Sequence, residues 1–290
     1  MKNRYLLFLL PAFFVFCAYT SPAQMVGDNV FLQGAFVEVG VAPNGGYGST
    51  LPAPAGYHPF LGGTTFDFWD PASATATTSG NFLGFVADYG RDGWTVGTPP
   101  FFGDFYLPGD PQEGWAIQVN GTASCAFIPA YEYGGSPVTG FANFPAYEPA
   151  LPATLLTGTN TSYSNSGGII KGVWNGSQGA LAIRQTTILD TTKLYFTVNV
   201  VLINTGATAL SNIYYMRTVD PDNEETRTES CPTCGGTGSY VTINTITDQL
   251  PDAGNKVLVS TTGVTYTNAY LGLGTKDCRA RCLIINAGSD

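Results

Sequence analysis

Ten residues from Leu194 to Ile203 alternate without a break. Leu194, Phe196, Val198, Val200 and Leu202 form one set, and Tyr195, Thr197, Asn199, Val201 and Ile203 form the other. A helix would scatter both sets around its circumference, whereas an extended strand sends them to opposite faces. The segment predicts a β-strand, and the apolar content of both sets predicts burial on both faces. Asn204-Thr205-Gly206 supplies turn residues, after which Asn212 to Val219 reads as the returning strand.

Composition extends this reading to the whole chain. Charged residues make up 11% of it, against a usual ~25%, so the Glu, Lys and Arg that coat the outer faces of helices are missing. Thr, Ser and Asn, 36 Gly, 19 Pro and 13% aromatics take their place, a mixture that suits short strands joined by tight turns. Val30 to Val41 reads as one strand, followed by a Pro/Gly-rich loop from Ala42 to Gly63 that is long enough to be functional or partly mobile. Further short runs are Phe66 to Trp69, Phe82 to Ala87, Phe101 to Leu107 and Trp115 to Val119, with later strands at Tyr240 to Ile246, Lys256 to Thr261 and Val264 to Leu271. The expected fold is all-β, an antiparallel β-sandwich of ordinary or extended size.

The N-terminus carries an export signal. Lys2 and Arg4 precede an almost wholly apolar run from Tyr5 to Cys17, and Ser21-Pro22-Ala23 offers small residues for a signal peptidase. Cleavage is expected before Gln24, making residues 1–23 a signal peptide and residues 24–290 a secreted or cell-surface domain. Cys17 as a lipid-attachment site is the weaker reading, because bulky Phe16 precedes it. No later stretch reaches the ~20 apolar residues of a membrane-spanning helix. Loss of Lys2 and Arg4 from 12 Lys and Arg leaves 10 against 21 Asp and Glu, a formal net charge of −11. That balance excludes nucleic acid as a partner and disfavours anionic membrane surfaces. The apolar end at Ile284-Ile285, with no polar tail or sorting module after it, reads as the N-terminal part of a longer polypeptide.

Several side-chain groups are candidates for chemistry. Asp220, Asp222 and Glu224 lie on one tight acidic loop, Asp220 to Glu225, where hard oxygen ligands suit Ca²⁺ and where Arg217 and Arg227 offer partial neutralisation; a solvated acidic turn is the alternative. Asp88 to Gly93 keeps Asp88, Asp92 and Gly93 of a calcium-loop pattern but lacks its third ligand, and Pro99 stands where the bidentate Glu belongs. A plain turn is the competing reading. Export makes disulfides the default for Cys125, Cys231, Cys234, Cys278 and Cys282. If Cys278 and Cys282 share one strand, four residues at ~3.3 Å place them roughly 13 Å apart, beyond the ~7 Å limit for a disulfide. Cys231-Pro232-Thr233-Cys234 can close locally through a turn, or the two pairs can join each other. A four-thiolate zinc site is poorly matched by the spacing, and Gly235 to Gly238 would not continue the helix that a redox-active C-x-x-C uses. No organic cofactor is indicated.

Enzymatic readings have little to work with. His58 is the one histidine, so multi-histidine zinc hydrolysis is excluded and a Ser-His-Asp triad would have to use it. A packed or exposed loop histidine is the simpler reading. Hydrolysis of glycans by two carboxylates needs no histidine, yet no pair stands out. Trp69, Trp94, Trp115 and Trp174 fall in or beside Gly-containing turns. With Tyr47 and Tyr57, Trp69 and Trp94 are candidates for stacking on sugar rings, with core packing as the alternative.

Six segments together resemble a known family: GDNVFLQGAFVEVGVAPNGGYGS, GFVADYGRDGW, LPGDPQEGWAIQVNG, GVWNGS, LINTGATALSNIYYMRTVDPDNE and YLGLGTKDCRARC. They are similar to the N-terminal β domain of large secreted surface proteins of gliding-type bacteria. The resemblance implies an adhesin-like, gliding-motility-associated protein exported by the type IX route, of a family with no assigned enzymatic activity and no catalytic residues to carry over. Its partner would be an extracellular glycan or surface. This chain departs from the pattern by showing no C-terminal sorting domain.

Overall fold

The computed structural model describes residues 24–49, 51–58, 83–88, 91, 104–106, 113–127, 156–219, 242–248, 257–263 and 270–282. These residues are all-β, with fifteen antiparallel strands in four sheets and no helix. The first sheet runs in the order β1 (Gln24–Val26), β2 (Asn29–Gln33), β3 (Val37–Val41), β4 (Phe85–Ala87) and β5 (Asp104–Tyr106). Val30 to Val41 is thus two strands rather than the single one expected. Gly34 to Phe36 turns the chain, and the Gly34 amide donates to the Val37 carbonyl at 2.8 Å.

The second sheet is a meander of β8 (Thr157–Ser166), β9 (Ile169–Gln178), β10 (Leu181–Asp190) and β11 (Phe196–Asn204). Gly167-Gly168, both at positive φ, make its first hairpin turn. The third sheet places β6 (Glu113–Val119) between β7 (Thr122–Phe127) and β12 (Tyr214–Val219). Asn120-Gly121, again with two positive φ angles, closes the β6–β7 hairpin. The fourth sheet contains β13 (Thr242–Asp248), β14 (Val257–Gly263) and β15 (Tyr270–Thr275), so the last strand lies further along the chain than Val264 to Leu271.

Two expectations for the β11 region are corrected. The strand is buried on one face only: Phe196, Val198, Val200 and Leu202 are half-buried, while Thr197, Asn199, Val201 and Ile203 are exposed. Nor does β12 return along β11. It pairs with β6 instead, in the register Tyr215 to Ile117 and Arg217 to Trp115. Asn120 steers it there, its side-chain oxygen accepting from the Ser211 amide at 2.7 Å while its own amide donates to the Ser211 carbonyl at 2.7 Å. Tyr215 then stacks on Trp115, with 5.8 Å between ring centroids.

The inner face of the four-stranded sheet is shared. Its Ile170, Leu189 and Phe196 end packs against Val30, Leu32, Val39, Phe85 and Tyr47 from the first sheet and its following loop. The Trp174, Leu181 and Ile183 end packs against Trp115, Ile117 and Val119 from the third sheet. Between them lies the tight loop Ala42–Gly48. It receives both indole N–H groups, Trp174 donating to the Pro43 carbonyl at 2.8 Å and Trp115 to the Asn44 carbonyl at 3.2 Å. Gly45 adopts a φ of +81°, and a Cβ there would meet the Trp174 ring at 3.0 Å. A Cβ on Gly158 would fall within that same ring.

Trp174 is therefore the most heavily committed side chain at this junction. Trp174→Ala is expected to lower stability by ~3–5 kcal/mol in urea unfolding, the usual cost of emptying a buried aromatic site. Gly158→Ala, although it adds a single methyl group, should also be clearly destabilising because the ring has no room to move aside.

Candidate functional site

β3 is buried on both faces because it lies between two layers. Val37, Val39 and Val41 enter the main core, whereas Glu38 points to the opposite face with Phe31, Leu83, Val86 and Tyr57. The Glu38 side chain has no exposed surface. A buried carboxylate must find donors, and three converge on it. Gln33 Nε2 and His58 Nδ1 both lie 2.8 Å from Oε1, and the His58 amide donates to Oε2 at 2.6 Å. Tyr57 OH donates to the Phe31 carbonyl at 3.0 Å, and Gln33 Nε2 also donates to the Gly56 carbonyl at 2.6 Å. Burial is the main reason the Tyr57 hydroxyl is pushed far above its ordinary pKa, with the Tyr163 and Glu38 charges adding to it.

This arrangement clasps the segment 51–58 onto the sheet. It also defines the chemistry open to His58, whose side chain is 38% exposed. A carboxylate oxygen accepts, so Nδ1 is the donor in this contact. The one histidine is thus half-packed and carboxylate-oriented. Nothing in its sequence neighbourhood identified Glu38 as the partner, 20 residues away; a lone Glu among valines was the available signal.

A second polar group, the buried Gln185 with the half-buried Tyr215 and Arg217, lies where the core layers meet. Arg217 Nη1 donates to Gln185 Oε1 at 3.1 Å and to Tyr215 OH at 3.2 Å, and its guanidinium lies 4.0 Å from the centre of the Tyr47 ring. Tyr215 OH donates to the same Gln185 oxygen at 3.2 Å. Tyr47 packs edge-on against Phe196 and is buried, as is Tyr57. Neither ring offers a face to a sugar, which corrects their assignment as ligand-binding residues. Trp115 and Trp174 belong to the core as well.

The acidic loop Asp220, Asp222 and Glu224 lies outside the described residues, as do Asp92, Trp69, Trp94, Cys231 and Cys234. Asp88 is buried at the end of β4, its amide donating to the Phe36 carbonyl at 2.8 Å. Among the described residues no group of three or more His, Cys, Asp or Glu is placed to hold a metal ion, and no helix is long and apolar enough to cross a membrane. Cys125 lies in β7. Cys278 and Cys282 do not share a strand: β15 stops at Thr275 and the chain turns at Cys278-Arg279. Asp277 makes that turn, accepting from the Arg279 amide at 2.9 Å and from both Arg279 Nε and Nη2. Burial raises the Cys282 thiol, and Cys278 is exposed.

Among the described residues, the most exposed aromatic rings are Tyr195, Tyr214 and Tyr270, at 59%, 62% and 49% exposure. Tyr195 stands at the start of a face four strands wide. That face carries Thr197, Asn199, Val201 and Ile203 from β11, with Arg184 beside Val201 and Asn175 beside Arg184. Arg184 Nε donates to Asn175 Oδ1 at 3.1 Å, and Asn175 Nδ2 donates to Thr161 Oγ1 at 2.6 Å. Lys171 is exposed on the same face. Donors and acceptors are thereby held at fixed spacing across the sheet beside an exposed ring. No protein-family model, curated protein or solved structure matches the chain.

Two measurements check this geometry. Glu38→Gln keeps the shape of the side chain but turns an NH₂ group toward a donor, so it should cost about 1–3 kcal/mol in urea unfolding even though it removes a buried charge; a neutral or stabilising effect would refute the clasp. The Asp277 carboxyl is held down to about 2 by hydrogen bonds from the Arg279 side chain and amide. Its folded value lies below its ordinary one, so its contribution is present above the ordinary range and lost as pH falls toward 2. Arg279→Ala should move its NMR titration back toward 3.8.

Proposed function

We propose that the chain is a non-enzymatic extracellular or cell-surface β-sandwich module of an adhesin-like protein, acting by display and contact. The observation that carries this reading is the exposed face of the four-stranded sheet. It combines the Tyr195 ring, a row of Thr and Asn, and the Arg184–Asn175–Thr161 relay on strands whose opposite face is fixed in the core. The resemblance to surface proteins of gliding-type bacteria, and the export signal in residues 1–23, support the same location. Ca²⁺ at Asp220, Asp222 and Glu224 belongs to this proposal as a stabilising ion.

Carbohydrate is the partner class favoured by the exposed rings. An aromatic ring flanked by planar amide groups matches the alternating apolar faces and hydroxyl edges of a sugar. Purified protein should bind at least one member of a polysaccharide panel saturably in Ca²⁺ and more weakly in chelator. Tyr195→Ala should weaken that binding at least ~tenfold while leaving the melting temperature unchanged. Absence of binding in both conditions would overturn the contact reading, and turnover of any polysaccharide would overturn the non-enzymatic one.

A further inference from the structure

β11 ends its sheet, and among the described residues it has a neighbour on one side only, β10. About half of its backbone N–H and C=O groups therefore point away from β10, as a template for another strand. Natural edge strands normally block such pairing with lysines, prolines, bulges or short length. β11 uses none of these: it is nine residues long, pairs with β10 without a register shift, and reads FTVNVVLIN. From Leu194 to Met216 the chain has no Asp, Glu, Lys, Arg or His. Val201 and Ile203, at 39% and 48% exposure, leave apolar surface along the same edge.

We infer that β11 is a self-association edge, at which a second copy of this chain pairs antiparallel with β11 about a two-fold axis to make one eight-stranded sheet. The edge admits a second copy as its occupant: copies with a formal net charge of −9 repel one another, and the span from Leu194 to Met216, free of charged residues, lets them meet there without like charges opposed. The sequence of the strand is also self-complementary. With the axis at Asn199, Asn199 faces its own counterpart, Thr197 faces Val201 of the other copy, and Tyr195 covers Ile203 of the other copy. On the inner face Phe196 opposes Leu202, and Val198 opposes Val200. These are aromatic–aliphatic and β-branched pairs of the kind that stabilise antiparallel ladders. The one nearby charge, Lys193, would face Thr205. This inference needs no ligand; it shares Tyr195 with the proposed glycan contact, so it is tested on its own with no polysaccharide present.

Sedimentation of the purified protein without polysaccharide tests it. A monomer–dimer equilibrium is expected, and Val201→Lys, at an exposed position, should raise its dissociation constant at least ~tenfold without lowering the melting temperature. Geometry is tested separately by oxidation. Opposed residues in such a ladder lie ~4.5–5.5 Å apart between Cα atoms, within disulfide range, so Asn199→Cys should link to itself well above the wild-type background. Thr197→Cys should not, because its two copies would be roughly 13 Å apart. A protein that stays monomeric up to about 1 mM, a dimer indifferent to Val201→Lys, or Asn199→Cys linking no better than Thr197→Cys would each overturn the inference.

Discussion

Two indole N–H groups, donated to adjacent carbonyls of one short loop, hold the layers of this protein in place. Trp174 reaches Pro43 and Trp115 reaches Asn44, with the two rings edge to face at 5.1 Å. Trp174 comes from the four-stranded sheet, Trp115 from the β6 sheet and the loop from the end of β3, so one cluster ties three sheets together. Asn160 strengthens the joint from β8 through Nδ2, which faces the Asp28, Val41 and Ala42 carbonyls at 2.7, 3.2 and 3.0 Å. A turn buried this deeply would otherwise leave carbonyls without partners, and each would cost as much as a lost hydrogen bond. The glycine requirement at positions 45 and 158 follows from the same closeness of backbone and ring.

The junction also explains why an arginine can lie between core clusters. Sheets that meet at an angle leave a seam, and here Gln185, Tyr215 and Arg217 line it with the Tyr47 ring beneath the guanidinium. A half-buried charge such as Arg217 is tolerated when hydrogen bonds and a ring face replace part of its water. Filling the seam uses up the inner face of the four-stranded sheet. Its outer face remains exposed at Thr197, Asn199, Val201 and Ile203.

Glu38 and His58 show the same economy on the other side of β3. A carboxylate among valines is costly unless its oxygens are saturated, and the segment 51–58 supplies an amide and an imidazole to do so. That makes the one histidine a fastening between the loop and the sheet. It also shows how much of the long loop after β3 is built in: Ala42–Gly48 is anchored by the tryptophans, and Gln33, Glu38 and Phe31 hold Gly56–His58.

Much of the architecture was legible because its signals are local. Alternation marked β11, Asn204-Thr205-Gly206 marked the turn after it, and the shortage of charge excluded surface helices; none of these signals depends on which segments pair. Pairing and coverage are not local. The same alternation cannot say that Thr197, Asn199, Val201 and Ile203 would be left uncovered, because their exposure depends on which layers pack beside the sheet. Tyr47 and Tyr57 read as surface aromatics in a Gly/Pro-rich loop until that loop folds inward, and Glu38 gains meaning only when His58 arrives from 20 residues away. By itself the sequence determined the all-β class and the places of β4 to β6 and β11 to β14, though not β7 to β10, since backbone geometry and side-chain period operate within a strand. Only the tertiary structure decided that β12 joins β6 and which aromatics meet water, because those outcomes rest on burial between segments far apart in the chain.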